Sequence, residues 1–274
     1  MKADISVLMS VYYKEKPEYM RQCFDSLLRQ TLLANEWVIV EDGKLTDELY
    51  AVLEEYEKKN PGLIKRVPLE QNVGLGLALR AGVPECSNEL IARMDTDDIA
   101  RKDRFEKQYA LFQEDPELDI CGSCIKEFEG SIDHIVAVRS VPLEDAEIKN
   151  YQKKRDSFNH MTVMYRKSAV LKAGNYQSCL LMEDTLLWVH MIQSGAKCKN
   201  LPQHLVYARV GKDMYDRRGG FDYYKKYKTG RKKILDTGFI SKTDYLETVT
   251  VQLLVCLVPT QVRKFIFNTF LRKN

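Results

Sequence analysis

The chain has 274 residues, 45% hydrophobic and 30% charged, which suits one large α/β domain or a domain with a helical appendage. Its seven cysteines are odd in number and scattered, and no apolar run reaches spanning length, which argues against a disulfide scaffold and a membrane-spanning protein. Net charge is only +3 but uneven: residues 209–274 carry 15 Lys/Arg against 6 Asp/Glu, leaving 27 against 33 in residues 1–208. A −6 body joined to a +9 tail points to an anionic partner for the tail. Lys2 and Asp4 stand where a signal peptide would begin, so a reduced, cytoplasmic protein is expected.

In chain order, Ile5–Val11 is a continuous apolar strand, and Pro17 opens a helix to Gln30 with Met20, Phe24, Leu27 and Leu28 on one face. Glu36–Val40 is a second strand, followed by Glu41-Asp42-Gly43. A helix over Thr46–Lys59 starts at a Thr46 cap and stops at Asn60-Pro-Gly62. Leu63–Val67 is a short strand, Val73–Gly82 a helix and Leu90–Met94 a fourth strand. This βαβαβαβ order predicts a Rossmann-like, mostly parallel sheet with helices on both faces. Beyond residue 120, strands are expected at Ile120–Phe128, Ile135–Arg139, Met161–Tyr165 and Leu205–Val210, with helices at Glu144–Lys153 and Thr185–Gln193. From Gly219 the chain reads as helical to its end, broken at Pro259. The expected division is a main domain over 1–212 and a basic helical extension over 213–274.

Open parallel sheets bind ligands beyond the carboxyl ends of their strands. Chemistry-bearing residues fall there: Ser10 and Tyr12 after the first strand, Asp42 after the second, and Asp95, Asp97 and Asp98 after the fourth. Three carboxylates in four residues repel unless something positive neutralises them, and a hard divalent cation suits oxygen ligands. The alternative is a solvated acidic turn leading into a helix over Arg101–Glu114. Asn72-Val-Gly74 opens a helix that also carries Arg80. It is neither the dinucleotide nor the GxxxxGK[ST] phosphate loop. Glu183-Asp184 stands just before a helix with Leu187, Val189 and Ile192 on its apolar face.

Taken in order, Ser6-Val-Leu-Met-Ser-Val-Tyr12, Val40-Glu-Asp-Gly43, Asn72-Val-Gly74, Met94-Asp-Thr-Asp-Asp98 and Glu183-Asp184 resemble the motifs of family 2 glycosyltransferases with the GT-A fold. The likeness spans roughly residues 4–212 and is strongest to bacterial capsule, exopolysaccharide and O-antigen enzymes. It implies that Ser10 and Tyr12 line the base pocket, Asp42 reads uracil, and Asn72 and Arg80 border the nucleotide. Asp95 and Asp97 would form a DXD motif, with Asp95 facing ribose and diphosphate and Asp97 ligating Mn²⁺ or Mg²⁺, while Asp98 supports the loop. Asp184, with Glu183 beside it, would be the base of an inverting, metal-dependent transfer from a UDP-sugar to a saccharide or lipid-linked acceptor.

The chain departs from the pattern after the last strand. Tyr207–Met214 holds no histidine, and Lys212, Arg217 or Arg218 is expected to offer positive charge to the diphosphate instead. His160 is either a site residue or a structural one, and Cys121-Gly-Ser-Cys124 reads as ordinary thiols. In the tail, lysines interleave with Tyr223, Tyr224 and Tyr227, and Val262, Phe265, Ile266 and Phe270 stripe a basic segment. That suits peripheral contact with the inner face of the plasma membrane or packing on the main domain. A homodimer is a further expectation, and no nucleic-acid module is recognised. The rival readings are a non-catalytic nucleotide-binding or scaffolding module of a polysaccharide assembly complex, and a sugar-nucleotide pyrophosphorylase. The latter requires a glycine-rich loop where Met9–Tyr13 stands.

Overall fold

The computed structural model describes residues 1–211, 219–259 and 263. Its centre is one mixed sheet. The four predicted parallel strands are β1 (Lys2–Val11), β2 (Leu33–Glu41), β3 (Ile64–Pro68) and β4 (Leu90–Arg93). They lie in the spatial order β3-β2-β1-β4, all parallel. The interior of β1 and the whole of β4 are buried, as expected for strands covered on both faces. The sheet then continues antiparallel through β8 (Met164–Arg166) to β6 (Leu118–Phe128), with β9 (Lys197–Arg209) running parallel to β6. β5 (Ile99–Ala100) pairs with β9, and β7 (Ile135–Arg139) pairs with β6.

Helices cover both faces. On one side α1 (Pro17–Leu28), α2 (Asp47–Lys59) and α4 (Arg104–Glu114) bury Phe24, Leu49, Val52 and Phe105 against Trp37 and Ile39. Facing them across the sheet are α3 (Leu75–Glu85) and, later in the chain, α5 (Asp145–Tyr151), α6 (Lys167–Lys172) and α7 (Glu183–Gln193). There Leu79, Val83 and Trp188 pack on Ile91 and Tyr165. The Thr46 cap forms, with its side chain accepting from the Leu49 N–H at 3.4 Å.

Several sequence expectations shift. Glu183 and Asp184 do not precede their helix but form its first turn, where carboxylates meet the positive end of the helix dipole. The predicted 161–165 strand splits into a 3₁₀ turn (His160–Thr162) and β8. The continuous terminal helix is two: α8 (Gly220–Asp236) and α9 (Lys242–Leu257). Gly238 takes a left-handed conformation between them, and Ser241 and Asp244 form a capping box that starts α9. α8 is packed on the main body: Ile234 and Ile240 join Cys179, Met182, Leu186 and Val189 in one buried cluster. The expected helical segment after Pro259 and the 212–218 loop lie outside the described residues, apart from Arg263.

Candidate active site

β4 ends at Arg93, and the chain crosses the carboxyl rim of the sheet as Met94-Asp-Thr-Asp-Asp98 before β5 re-enters it. A turn pinned between two strands cannot splay its charges into solvent. Asp98 is 2% exposed while Asp95 and Asp97 are half-buried, so the turn is not an ordinary solvated one. One carboxylate oxygen from each of Asp95, Asp97 and Asp98 lies within 4.8 Å of the others, the one such group among the described residues. Burial, then the charges of Asp95 and Glu15, push Asp97 up to about 7. Burial and the two neighbouring aspartates push Asp98 up well beyond the carboxylate range. Asp98 Oδ2 is buried without a hydrogen-bond partner. These features fit a hard cation: the donors are all carboxylate oxygens, and one is buried and unsatisfied.

Two residues brace this turn. Arg93 is 1% exposed, and its guanidinium meets Asp95 at 2.6 Å, while its Nε and Nη1 have no partner. Arg209, at the end of β9, donates its backbone N–H to Asp98 (2.7 Å) and its Nε to the Asp97 carbonyl (2.9 Å). The same guanidinium stacks on Tyr19 and Phe128, at 3.9 and 4.5 Å from the ring centres. The backbone bond to its carboxylate gives Asp98 the loop-supporting geometry.

The second half of the site is the first turn of α7. Asp184 accepts from the Thr185 N–H at 2.8 Å, and Thr185 Oγ1 donates to Asp156. Burial, then Asp156 and Glu183, raise Asp184 to about 7. Burial also raises Glu183, and the charge of Asp95 adds to the effect. Arg93 opposes these shifts at Glu183, Asp184, Asp97 and Asp98 alike, so one buried cation serves both halves of the site. Gly76 sets the approach of α3 to α7, because a Cβ there would lie 2.7 Å from Glu183 Cβ. His160 is structural in kind yet adjacent to the site. Its Nε2 meets the Tyr176 hydroxyl at 2.9 Å, its ring sits edge-on to Trp188, and Nδ1 is 3.9 Å from Asp184. Burial and the charge of Arg93 keep its pKa well below the usual value, so it stands neutral beside the carboxylate.

The remaining rim residues are placed as follows. Ser10 is half-buried near the end of β1, in register with Val40. Tyr12 is exposed just beyond it, edge-on to Tyr13. Asp42 is buried, and its two oxygens accept from the N–H groups of Val73 (2.7 Å) and Gly74 (3.1 Å) at the entry to α3. Asn72 Nδ2 donates to the Asp42 carbonyl at 3.2 Å. Gly43 is left-handed and packed on this strand of backbone, since a Cβ there would lie 2.6 Å from the Asn72 nitrogen. Arg80 is exposed on α3, and its Nη1 donates to the carbonyls of Gly174 (3.2 Å) and Tyr176 (2.8 Å), fastening the loop after α6 to α3. Arg217, Arg218 and Lys212 lie outside the described residues. Cys121 and Cys124 are free and buried, and burial holds the Cys121 thiol up at about 12.

Four contributors escaped sequence reasoning: Glu15, Arg93, Asp156 and Arg209. Only Arg93 left a local signal, a charged residue inside the apolar run Ile91-Ala-Arg-Met94.

An acidic oxygen cluster facing a half-buried pair of carboxylates, Glu183 and Asp184, beyond the rim of this sheet is an arrangement in keeping with one class: GT-A glycosyltransferases. The family model described as Glycosyl transferase family 2 matches residues 6–174, and the chain belongs to that family. It is 44% identical to an uncharacterized glycosyltransferase of Haemophilus influenzae, over 98% of this chain and 99% of that one. Identity is 40% to the amylovoran biosynthesis glycosyltransferase AmsE of Erwinia amylovora, over 96% and 97% of the two chains. It is 32% to the UDP-Gal:alpha-D-GlcNAc-diphosphoundecaprenol beta-1,3-galactosyltransferase of Escherichia coli, over 98% and 96%. Among solved structures, S. aureus TarS 1–349 in complex with UDP-GlcNAc matches with a TM-score of 0.64 at 18% identity, covering 98% of this chain and 72% of that one. The mannosyltransferase PcManGT from Pyrobaculum calidifontis, in complex with GDP-Man and Mn²⁺, matches with a TM-score of 0.64 at 12% identity, covering 91% and 69%.

Proposed function

We propose that this glycosyltransferase moves a sugar from a UDP-sugar, with inversion, to a hydroxyl of a growing glycan or lipid-linked saccharide in surface-polysaccharide synthesis. The observation that carries the reading is the pairing, across one buried arginine, of the Asp95–Asp97–Asp98 cluster with Asp184 at about 7. The names of the E. coli and E. amylovora relatives support the donor and acceptor classes.

In this reading Ser10, Tyr12, Asp42 and Asn72 form the base pocket, and Asp42 retains lone pairs for a ring N–H beyond the two backbone bonds it accepts. Asp97 and Asp95 would hold Mn²⁺ or Mg²⁺, which would supply positive charge against the departing diphosphate. Asp184 takes the proton of the acceptor hydroxyl as that oxygen bonds to the anomeric carbon. The bond from that carbon to the diphosphate oxygen breaks on the opposite face, releasing UDP. A base near neutrality is half ionised at the working pH and still basic enough to accept the proton. Thr185 fixes the orientation of the carboxylate, and Arg93 keeps its charge tolerable while holding Asp95. The enzyme works in the cytoplasm, with its basic tail turned to the anionic inner membrane surface.

The test is transfer from a panel of UDP-sugars to saccharides on a hydrophobic carrier, with Mn²⁺ present and product configuration read by proton NMR. Transfer with inversion is the expected result. A product of retained configuration, or donor binding with neither transfer nor donor hydrolysis, would overturn the reading.

A further inference from the structure

On its outer side α9 carries the exposed Glu247, which pairs with Lys154 at 2.6 Å, and the exposed Thr250, and becomes mostly apolar toward its C-terminal end. The inner face carries Thr248, Val249 and Cys256, all buried, with the Arg231 guanidinium donating to Thr248 Oγ1 at 3.0 Å. On the outer face Leu246, Val251, Leu254 and Leu257 are 60, 56, 60 and 69% exposed. No charged residue occurs between Glu247 and Arg263. A helix lying on a protein in water shows a polar outer face; the last two turns of α9, Val251–Leu257, carry a single polar amide, Gln252, which approaches the pattern of a helix covered on both sides.

The C-terminal end of this helix is finished in an unusual way. The last carbonyls of a surface helix ordinarily turn to water. Here the Arg263 guanidinium takes them, donating to Val255 (3.1 Å), Cys256 (3.4 Å) and Val258 (2.9 Å). Gly219 makes room for it, since a Cβ there would collide with the guanidinium. Carbonyls satisfied from within allow the helix end to enter a medium without water. No described helix is long and apolar enough to cross a membrane, so α9 would lie in the surface plane.

We infer that the outer face of α9 is the surface by which this enzyme docks on an anionic lipid bilayer, with Leu246, Val251, Leu254 and Leu257 inserted among the acyl chains. Charge selects this occupant. The helix packed beside α9 bears five exposed lysines, Lys225, Lys226, Lys228, Lys232 and Lys233, and the tail as a whole is +9. Anionic headgroups attract that charge, whereas a second copy meeting this small patch across a two-fold axis brings two such tails together. The inference deepens the lipid-linked acceptor reading by naming the contact that brings the protein to its acceptor, and it is tested without any substrate.

The experiment is flotation of the full chain with vesicles of phosphatidylcholine alone and of phosphatidylcholine mixed with phosphatidylglycerol. The wild type should float with the mixed vesicles and release as salt rises. The double variant Leu254→Glu, Leu257→Glu should lose at least about tenfold in vesicle affinity, with melting temperature, UDP binding and transfer to a short-chain soluble acceptor unchanged. A variant that floats like the wild type overturns the inference, as does a wild type that floats with neither vesicle. Light scattering that shows a dimer dissociated by the double variant overturns it in favour of a second copy. A large drop in the variant's melting temperature overturns it in favour of cover by the chain itself. Failed transfer alongside intact vesicle binding counts against the catalytic reading alone.

Discussion

Asp184→Asn separates the chemistry of this protein from its stability, with opposite signs. Burial, Asp156 and Glu183 hold the Asp184 carboxyl at about 7, against 3.8 for the free side chain. A difference of about three pH units bounds the cost of ionising it in the fold at on the order of 4 kcal/mol. The true figure lies below that bound, because the side chain is 21% exposed and shares its field with two carboxylates. With a raised pKa, the folded state holds a proton that the unfolded state has released. The stabilisation from protonation is therefore complete below about pH 4 and lost as pH rises to about 7. Asparagine keeps the oxygen that accepts the Thr185 N–H but carries no charge. The variant should melt higher than wild type at about pH 8, by on the order of 5 °C, and equally at about pH 4. Its transfer rate should fall by about 10²–10⁴, because nothing takes the acceptor proton. Wild-type kcat/KM should rise with pH up to about 7. Scanning calorimetry at the two pH values, with initial rates, tests this. An asparagine variant that melts lower at high pH, or that still transfers, refutes the reasoning.

Gly76→Ala places a methyl 2.7 Å from Glu183 Cβ and should push the first turn of α7 away, costing about 1–3 kcal/mol of stability. Transfer should fall while UDP affinity holds, and equal loss of both would place Gly76 in the donor pocket. Arg209→Met keeps bulk against Tyr19 and Phe128 but removes the bond to the Asp97 carbonyl. Mn²⁺ affinity, followed by electron paramagnetic resonance of the free ion, should drop about 10–100-fold. An unchanged affinity would mean that the turn holds its shape without the brace.

The parallel half of the fold was legible because its central strands, β1 and β4, are buried and so read as predominantly apolar runs, Ile5–Val11 interrupted only by serines and Leu90–Met94 only by Arg93. β5 has two residues, too few for any periodicity, and β8 is nearly as short. The break between α8 and α9 was written in Gly238 and Ser241-Lys-Thr-Asp244, yet the surrounding lysine-rich helical composition outweighed it. The acidic turn and Glu183-Asp184 could be found locally because each motif is contiguous. Their braces could not. Arg209 acts on Asp98 from 111 residues away, and Thr185 meets Asp156 across 29, so only the closed sheet brings them together. Likewise the bonds from Arg80 to the Gly174 and Tyr176 carbonyls span 94 and 96 residues and left no local signal.

The most direct test of the central claim, that the acidic turn and Asp184 are two halves of one transferase site, is calorimetric titration of UDP with Mn²⁺ and then with EDTA. Wild type and Asp184→Asn should bind UDP alike and only with the metal, and Asp97→Ala should not bind. Binding that ignores EDTA and survives in Asp97→Ala, or that disappears in Asp184→Asn, would contradict the account.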